Sequence, residues 1–136
     1  SPHRLLALVL LLDQFPRHVY RGRARAYAQD SRALAFTLHA LTTGGDATLS
    51  PAERLFLYLP LQHAESAAMQ EESISAYRRL LADAPEQHKK LFQSVLDFAL
   101  QHQEVVARFG RFPHRNAALS RRSTPGETEF LSTPAR

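Results

Sequence analysis

The chain has 136 residues, enough for one compact domain and its core but too short for two. With 44% hydrophobic and 22% charged residues it is a globular composition rather than a disordered or fibrous one. The absence of cysteine excludes a disulfide scaffold, thiolate metal ligands and a cysteine nucleophile, and fits a reducing cytoplasm.

The net charge is +4, and lysine occurs only at Lys89 and Lys90, so arginine supplies almost all of the positive charge. Guanidinium forks match carboxylates and phosphates, although an Ala-, Leu- and Arg-rich chain is also what codon bias produces. Both ends are basic and the middle is acidic: residues 105–122 hold five Arg and no acid, whereas residues 53–104 hold five basic against eight acidic side chains.

Ser1-Pro2 is an N-cap with proline at the first helical position, opening a run to Gln14 that is apolar on every face. This predicts a central helix. Its LLALVLLL stretch is far short of the roughly 20 residues a membrane span needs, and no cleavage site follows it. Phe15-Pro16 is expected to end the helix, because the residue before proline is driven out of the α region. Ala24, Tyr27, Ser31, Leu34, Leu38 and Leu41 advance by threes and fours and predict a second helix over 24–41 with that stripe inward. Ser50-Pro51-Ala52-Glu53 is a capping box that starts a third helix, and Pro60 is expected to end or kink it.

A fourth helix is predicted over 61–81, with His63, Ala67, Gln70, Ile74, Tyr77 and Leu81 as its inner stripe. A fifth begins near Asp83 and Pro85, with Leu91, Val95, Phe98, His102, Val105 and Phe109 inward and Gly110 as its stop. Thr124-Pro125-Gly126-Glu127 repeats the capping box, so a short last helix is expected over 125–131. No strand pattern occurs. The fold class is all-α, with short turns joining antiparallel helical hairpins in a single domain spanning residues 1–136.

Polar residues in apolar stripes are the strongest chemical signal, because an unpaired buried polar group costs on the order of 1–3 kcal/mol. His63, Gln70 and His102 are expected to face inward, either as a ligand pocket between helices or, the stronger reading, as core residues whose hydrogen bonds fix helix register. Seven histidines give no metal-ligand spacing, so no metal is expected. His63-Ala-Glu65 places the two side chains about 200° apart on a helix. Asp13, Asp30 and Glu65 are possible acid-base carboxylates without an assigned partner. Arginines gather at two Phe-Pro corners: Arg17, Arg21, Arg23 and Arg25 near one, and Arg108, Arg111, Arg115, Arg121 and Arg122 near the other.

Three strings, LLLDQFPR at 10–17, ERLFLYLP at 53–60 and RFGRFPHRN at 108–116, together with Tyr20-Arg-Gly22 and Ser123-Thr-Pro125, resemble a bacterial family, domain-of-unknown-function family nine hundred twenty-four. The resemblance covers nearly the whole chain. It implies a tetratricopeptide-like right-handed superhelix of about six to seven helices and no settled activity. Family-like patterns carry Asn at His18, Ser at Ala64 and Gly at Ser120. They also carry a helical region before the Leu10 string that is largely absent here.

These observations favour a cytoplasmic helical scaffold that binds a peptide, a partner protein or a small anionic ligand. Arg17, Arg21, Arg108, Arg111 and Arg115 are the expected anion contacts, and His63, Glu65, Gln70, His114 and Asn116 the polar orienters. Convergence of the two Phe-Pro corners is what this reading requires. The alternative is a hydrolase using His63 or His114 with a carboxylate. Nucleic acid, membrane and cofactor are not expected as partners.

Overall fold

In the computed structural model, which describes residues 1–133, the protein is all-α, with no strand among the described residues. The first helix forms as its cap predicts: the Ser1 side chain accepts the Arg4 N–H, and α1 runs over Pro2–Val9. Phe15-Pro16 does not end it. A π-helical turn, Leu10–Gln14, leads directly into α2, Phe15–Val19, and the Phe15 N–H reaches back five residues to the Leu10 carbonyl. The wider turn accommodates Pro16, which has no N–H to offer and would crowd the carbonyl four residues earlier in a regular helix.

This first rod is not central. Leu6, Val9, Asp13 and Pro16 are buried along one face, while Leu11, Phe15 and Val19 form an outer stripe, Phe15 being 61% exposed. The second predicted helix begins late: Ala24–Ala26 is a 3-10 turn, and α3 covers Asp30–Thr43. Its tightest face is Ala33, Thr37 and Ala40, with Leu34, Leu38 and Leu41 partly buried beside it. Small side chains let α3 lie close against α1, its most extensive partner.

The Ser50–Glu53 capping box starts α4, Pro51–Leu57, and the break comes at Tyr58, so Pro60 sits in the first turn of α5, Leu59–Gln62. Side-chain hydroxyls satisfy carbonyls at this interruption. Thr37 Oγ1 donates to the Leu57 carbonyl at 2.8 Å, and Tyr77 Oη donates to the Leu55 carbonyl at 3.0 Å. Tyr58, itself buried, donates to Asp46 at 2.6 Å and accepts from Arg54 Nε at 3.1 Å, and its ring meets Tyr77 edge-on.

The fourth predicted helix is interrupted between His63 and Ser66 before α6, Ala67–Asp83. The Gln70 amide holds this turn by donating to the Gln62 and Ala64 carbonyls at 2.8 and 2.9 Å. Lys89–Phe109 is α7, which pairs with α6 as the most extensive helix contact in the molecule. Its inner stripe lies one position away from the expected one: Phe92, Leu96, Ala99 and Val106 are buried, whereas Leu91 and Phe98 are 57% and 60% exposed. A seven-residue spacing of apolar side chains fits either face of so long a helix, and packing against α6 decides between them. Gly110, at φ 74°, closes α7, and α8, Pro125–Ser132, opens on the expected capping box. None of the helices is long and apolar enough to cross a membrane.

Two stability predictions follow from local geometry. Ser120 is the one non-glycine described residue with positive φ, at 55°; Ser120→Gly is expected to raise stability by about 0.5–1 kcal/mol in urea unfolding. Thr37→Val keeps the shape but leaves the Leu57 carbonyl without its hydroxyl donor, and the same measurement should show a loss of about 1–3 kcal/mol.

Candidate functional site

The two Phe-Pro bends meet. Arg17, on α2, reaches the first turn of α3 and clamps Asp30 through two parallel hydrogen bonds of 2.7 and 2.8 Å. The second bend is shaped by Gly110 and by extended Phe112 before Pro113, followed by a 3-10 turn over Pro113–Arg115. That turn projects Arg115 onto the same carboxylate, 3.6 Å from Asp30 Oδ2. Both guanidiniums lie over the Tyr27 ring, Arg17 at 5.4 Å and Arg115 at 4.5 Å from its centre. Asp30 thus receives one cation from each bend, Arg17 from 13 positions before it and Arg115 from 85 positions after it.

A cavity of about 400 Å³ opens where the bends meet, walled by Arg17, Arg21, Tyr27, His63, His102, His114 and Arg115 with Phe112 beneath.

Two further ion pairs fix the second bend. Glu65 accepts the Phe112 N–H at 2.6 Å and takes a two-pronged contact from Arg121 at 2.9 and 3.0 Å. Burial raises the Glu65 carboxyl, but the Arg121 hydrogen bonds, the Phe112 N–H and the charges of Arg115 and Arg121 bring it below its usual range. Arg111 grips Glu127 through two hydrogen bonds of 2.8 Å, which ties α8 to the bend.

The first bend supplies a buried carboxylate. Asp13 is fully buried, and its Oδ1 lies 2.7 Å from His63 Nδ1 and 3.3 Å from Arg17, while Oδ2 accepts from the Gln14 amide at 2.8 Å. Burial pushes the Asp13 carboxyl up, yet the His63 hydrogen bond and the neighbouring charges win and hold it below the ordinary carboxylate value. His63 Nδ1 is therefore committed to Asp13, and Nε2 makes no hydrogen bond to the described residues.

Of the two buried arginines among the described residues, Arg54 and Arg115, Arg115 is the less satisfied. It is 6% exposed, and of its five N–H donors one is hydrogen-bonded, from Nη2 to the His63 carbonyl at 2.8 Å. Its buried Nε has no partner among the described residues. Burial, followed by repulsion from Arg17, lowers its pKa below the usual guanidinium value despite Asp30 and Glu65. Arg21 is exposed at the cavity rim, and no carboxylate among the described residues forms an ion pair with it. His102 donates from Nδ1 to Gln62 Oε1 at 2.7 Å and stacks edge-on against Phe112. Burial, and then the positive surroundings of His63, His114 and Arg115, push its pKa down to about 4. Partial desolvation and Arg115 lower His114 as well.

Of the residues expected to form the site, Arg17, Arg21, His63, His114 and Arg115 line this cavity together. Glu65 lines an adjoining cavity of about 440 Å³, which shares Tyr27, His63 and Arg115 with the first. The others serve elsewhere. Gln70 supports the 63–66 turn, Asn116 donates to Ser123 and accepts from Arg121, Arg111 pairs with Glu127, and Arg108 lies over the rings of Phe109 and Phe130. Of His63, Gln70 and His102, expected to converge, Gln70 and His102 are joined through Gln62, whose carbonyl binds Gln70 and whose side chain binds His102, while His63 pairs with Asp13 instead. The pairing of Asp13 with His63, 50 positions apart, carries no local sequence signal. Among the described residues no group of three or more His, Asp or Glu side chains is placed to hold a metal ion.

A family model described as bacterial protein of unknown function (DUF924) matches residues 1–135. A solved structure of a protein of unknown function from Agrobacterium tumefaciens is 40% identical, with a TM-score of 0.82, over 97% of this chain and 69% of that one. A comparison with curated proteins finds no match.

The lowered pKa of His102 sets a pH dependence. The unfolded chain binds a proton near the ordinary 6.5 that the folded chain refuses until about 4, so stability is lost as pH falls through that window. Urea unfolding at pH 7 and pH 5 should show a loss on the order of 1–2 kcal/mol that His102→Gln reduces.

Proposed function

The chain belongs to this bacterial family of unknown function, and we propose that within it the cavity between the two arginine-bearing bends binds a small anionic ligand, a phosphate- or carboxylate-bearing molecule. The observation that carries this reading is Arg115: a buried guanidinium with one hydrogen bond, an orphaned Nε and a shared, distant carboxylate. A buried polar group without a partner is costly, and an anion entering the cavity would supply the missing acceptor and counter-charge. Arg21 adds a cation at the rim with no ion pair among the described residues, so three guanidiniums line the site while the two carboxylates, Asp13 and Asp30, pair with Arg17 and Arg115 alone.

The size of the cavity, about 400 Å³, lies within the range of small-molecule sites and favours a compact ligand over an extended peptide or a protein surface. Arg17 contributes mainly field and orientation, since three of its N–H donors are already engaged with Asp30 and the Asp13 carbonyl. The proposal includes a cytoplasmic location, in keeping with the cysteine-free composition.

Calorimetric titration with inorganic phosphate and with malonate tests the reading. At least one should bind, with affinity falling as salt rises. Arg21→Ala should weaken it by about fivefold to tenfold, and Arg115→Lys by more, with the parent fold retained by circular dichroism. Absence of binding by both anions, or unchanged affinity in both variants, overturns it.

A further inference from the structure

Resting on that anion-binding reading, we infer that His63 is a nucleophile that accepts a phosphoryl group from an acyl phosphate bound at Arg115 and Arg21, with Asp13 as its positioning residue. The geometry is that of an oriented imidazole. Asp13 is buried and fixed by Gln14 and Arg17, and its 2.7 Å contact engages Nδ1, which leaves Nε2 as the nitrogen available to the cavity that His63 lines. A carboxylate on Nδ1 holds the tautomer whose Nε2 carries the lone pair, and it balances the positive charge that develops as Nε2 forms a bond.

The cavity supports this chemistry in two further respects. No Ser or Thr side chain lines it, so imidazole and the Tyr27 phenol are its nucleophilic side chains, and of these His63 alone has a carboxylate orienting it. Arg115 donates to the His63 main-chain carbonyl and lines the same cavity as its imidazole, so guanidinium charge is available there to the negative oxygens of a phosphoryl group.

The leaving group follows from what surrounds the dyad. Cleaving an alkyl phosphate needs a proton for the departing alkoxide, and the nearby imidazoles His102 and His114 are both disposed to remain neutral. A mixed anhydride needs no such donor, because its carboxylate leaves as a weak base. In the first step the His63 Nε2 lone pair forms an N–P bond, and the bond from phosphorus to the acyl oxygen breaks, its electron pair leaving on the carboxylate. In the second, water attacks phosphorus, the N–P bond breaks with its electrons returning to Nε2, and inorganic phosphate and a proton are released. The sum is acyl phosphate plus water giving carboxylate, phosphate and a proton.

Radiolabelled acetyl phosphate, mixed with the full chain and quenched, tests this directly. Label that survives alkali, is lost in acid and maps to His63 is expected, together with release of acetate. His63→Gln, whose amide can still donate to Asp13, should abolish the label, while His88→Gln, on an exposed residue far along the chain, should retain it. Asp13→Asn should slow labelling by about tenfold or more while phosphate affinity stays within about threefold, a split that loss of packing alone would not give. Phosphate binding without label in the parent chain, or label that persists in His63→Gln, overturns the phosphoryl-transfer inference and leaves the anion-binding reading standing. Failure to bind either phosphate or malonate defeats the underlying reading instead.

Discussion

One shared carboxylate, Asp30, organises the candidate site. Its two oxygens engage Arg17 through a planar, two-pronged contact, and Arg115 approaches the same group from the second bend. Geometry of this kind is available to arginine and not to lysine, because only the guanidinium offers parallel donors in a rigid fork. The scarcity of lysine therefore has a structural counterpart at this point whatever its origin in codon usage. Asp30 also occupies the first turn of α3, where the helix dipole favours a negative charge. Helix α3 in turn packs on α1, so the anchor that gathers the arginines is itself carried by the core.

The charge balance around this anchor is uneven. Arg17 pairs with Asp13 and Asp30, Arg111 with Glu127 and Arg121 with Glu65, and all but the Arg17–Asp13 pair, four residues apart, join residues at least 13 positions apart. They fix the architecture more than they add stability, since removing a charge from water offsets much of what pairing returns. Arg115 differs in being buried with most of its donors unused. Its cost is met by contacts elsewhere, among them the Tyr27 and Phe112 faces on which the guanidinium lies. An arrangement that leaves a cation short of acceptors in a recess is poorly explained by folding alone, whereas an anionic ligand accounts for it.

Much of the fold was legible in the sequence for local reasons. Both capping boxes, the Ser1 cap and the Gly110 stop are short-range devices whose geometry depends on three or four neighbouring residues, and each forms as read. What could not be read depends on distant partners. The π-helical turn carries the first helix through Pro16, and the inner face of α7 is selected by α6. The site divides the same way. Clustering of arginine at two similar corners pointed to Arg17, Arg21 and Arg115, but nothing local distinguishes Arg115 from Arg111, whose charge is consumed by Glu127. Nor does spacing join Asp13 to His63, because their contact is made only when α5 lies beside the π-helical turn.

The segment from His63 to Ser66 shows why a helical reading of that region fails just where the chemistry lies. A continuous helix would set His63 and Glu65 on nearly opposite faces, as their spacing implies. The turn instead lets both serve one locality: His63 takes Asp13 from the first bend, Glu65 takes Phe112 and Arg121 from the second, and Gln70 stabilises the backbone between them. Ala64 lines the adjoining cavity and contributes no hydroxyl there. The helix break is what lets the His63 side chain meet Asp13 while its main-chain carbonyl accepts from Arg115.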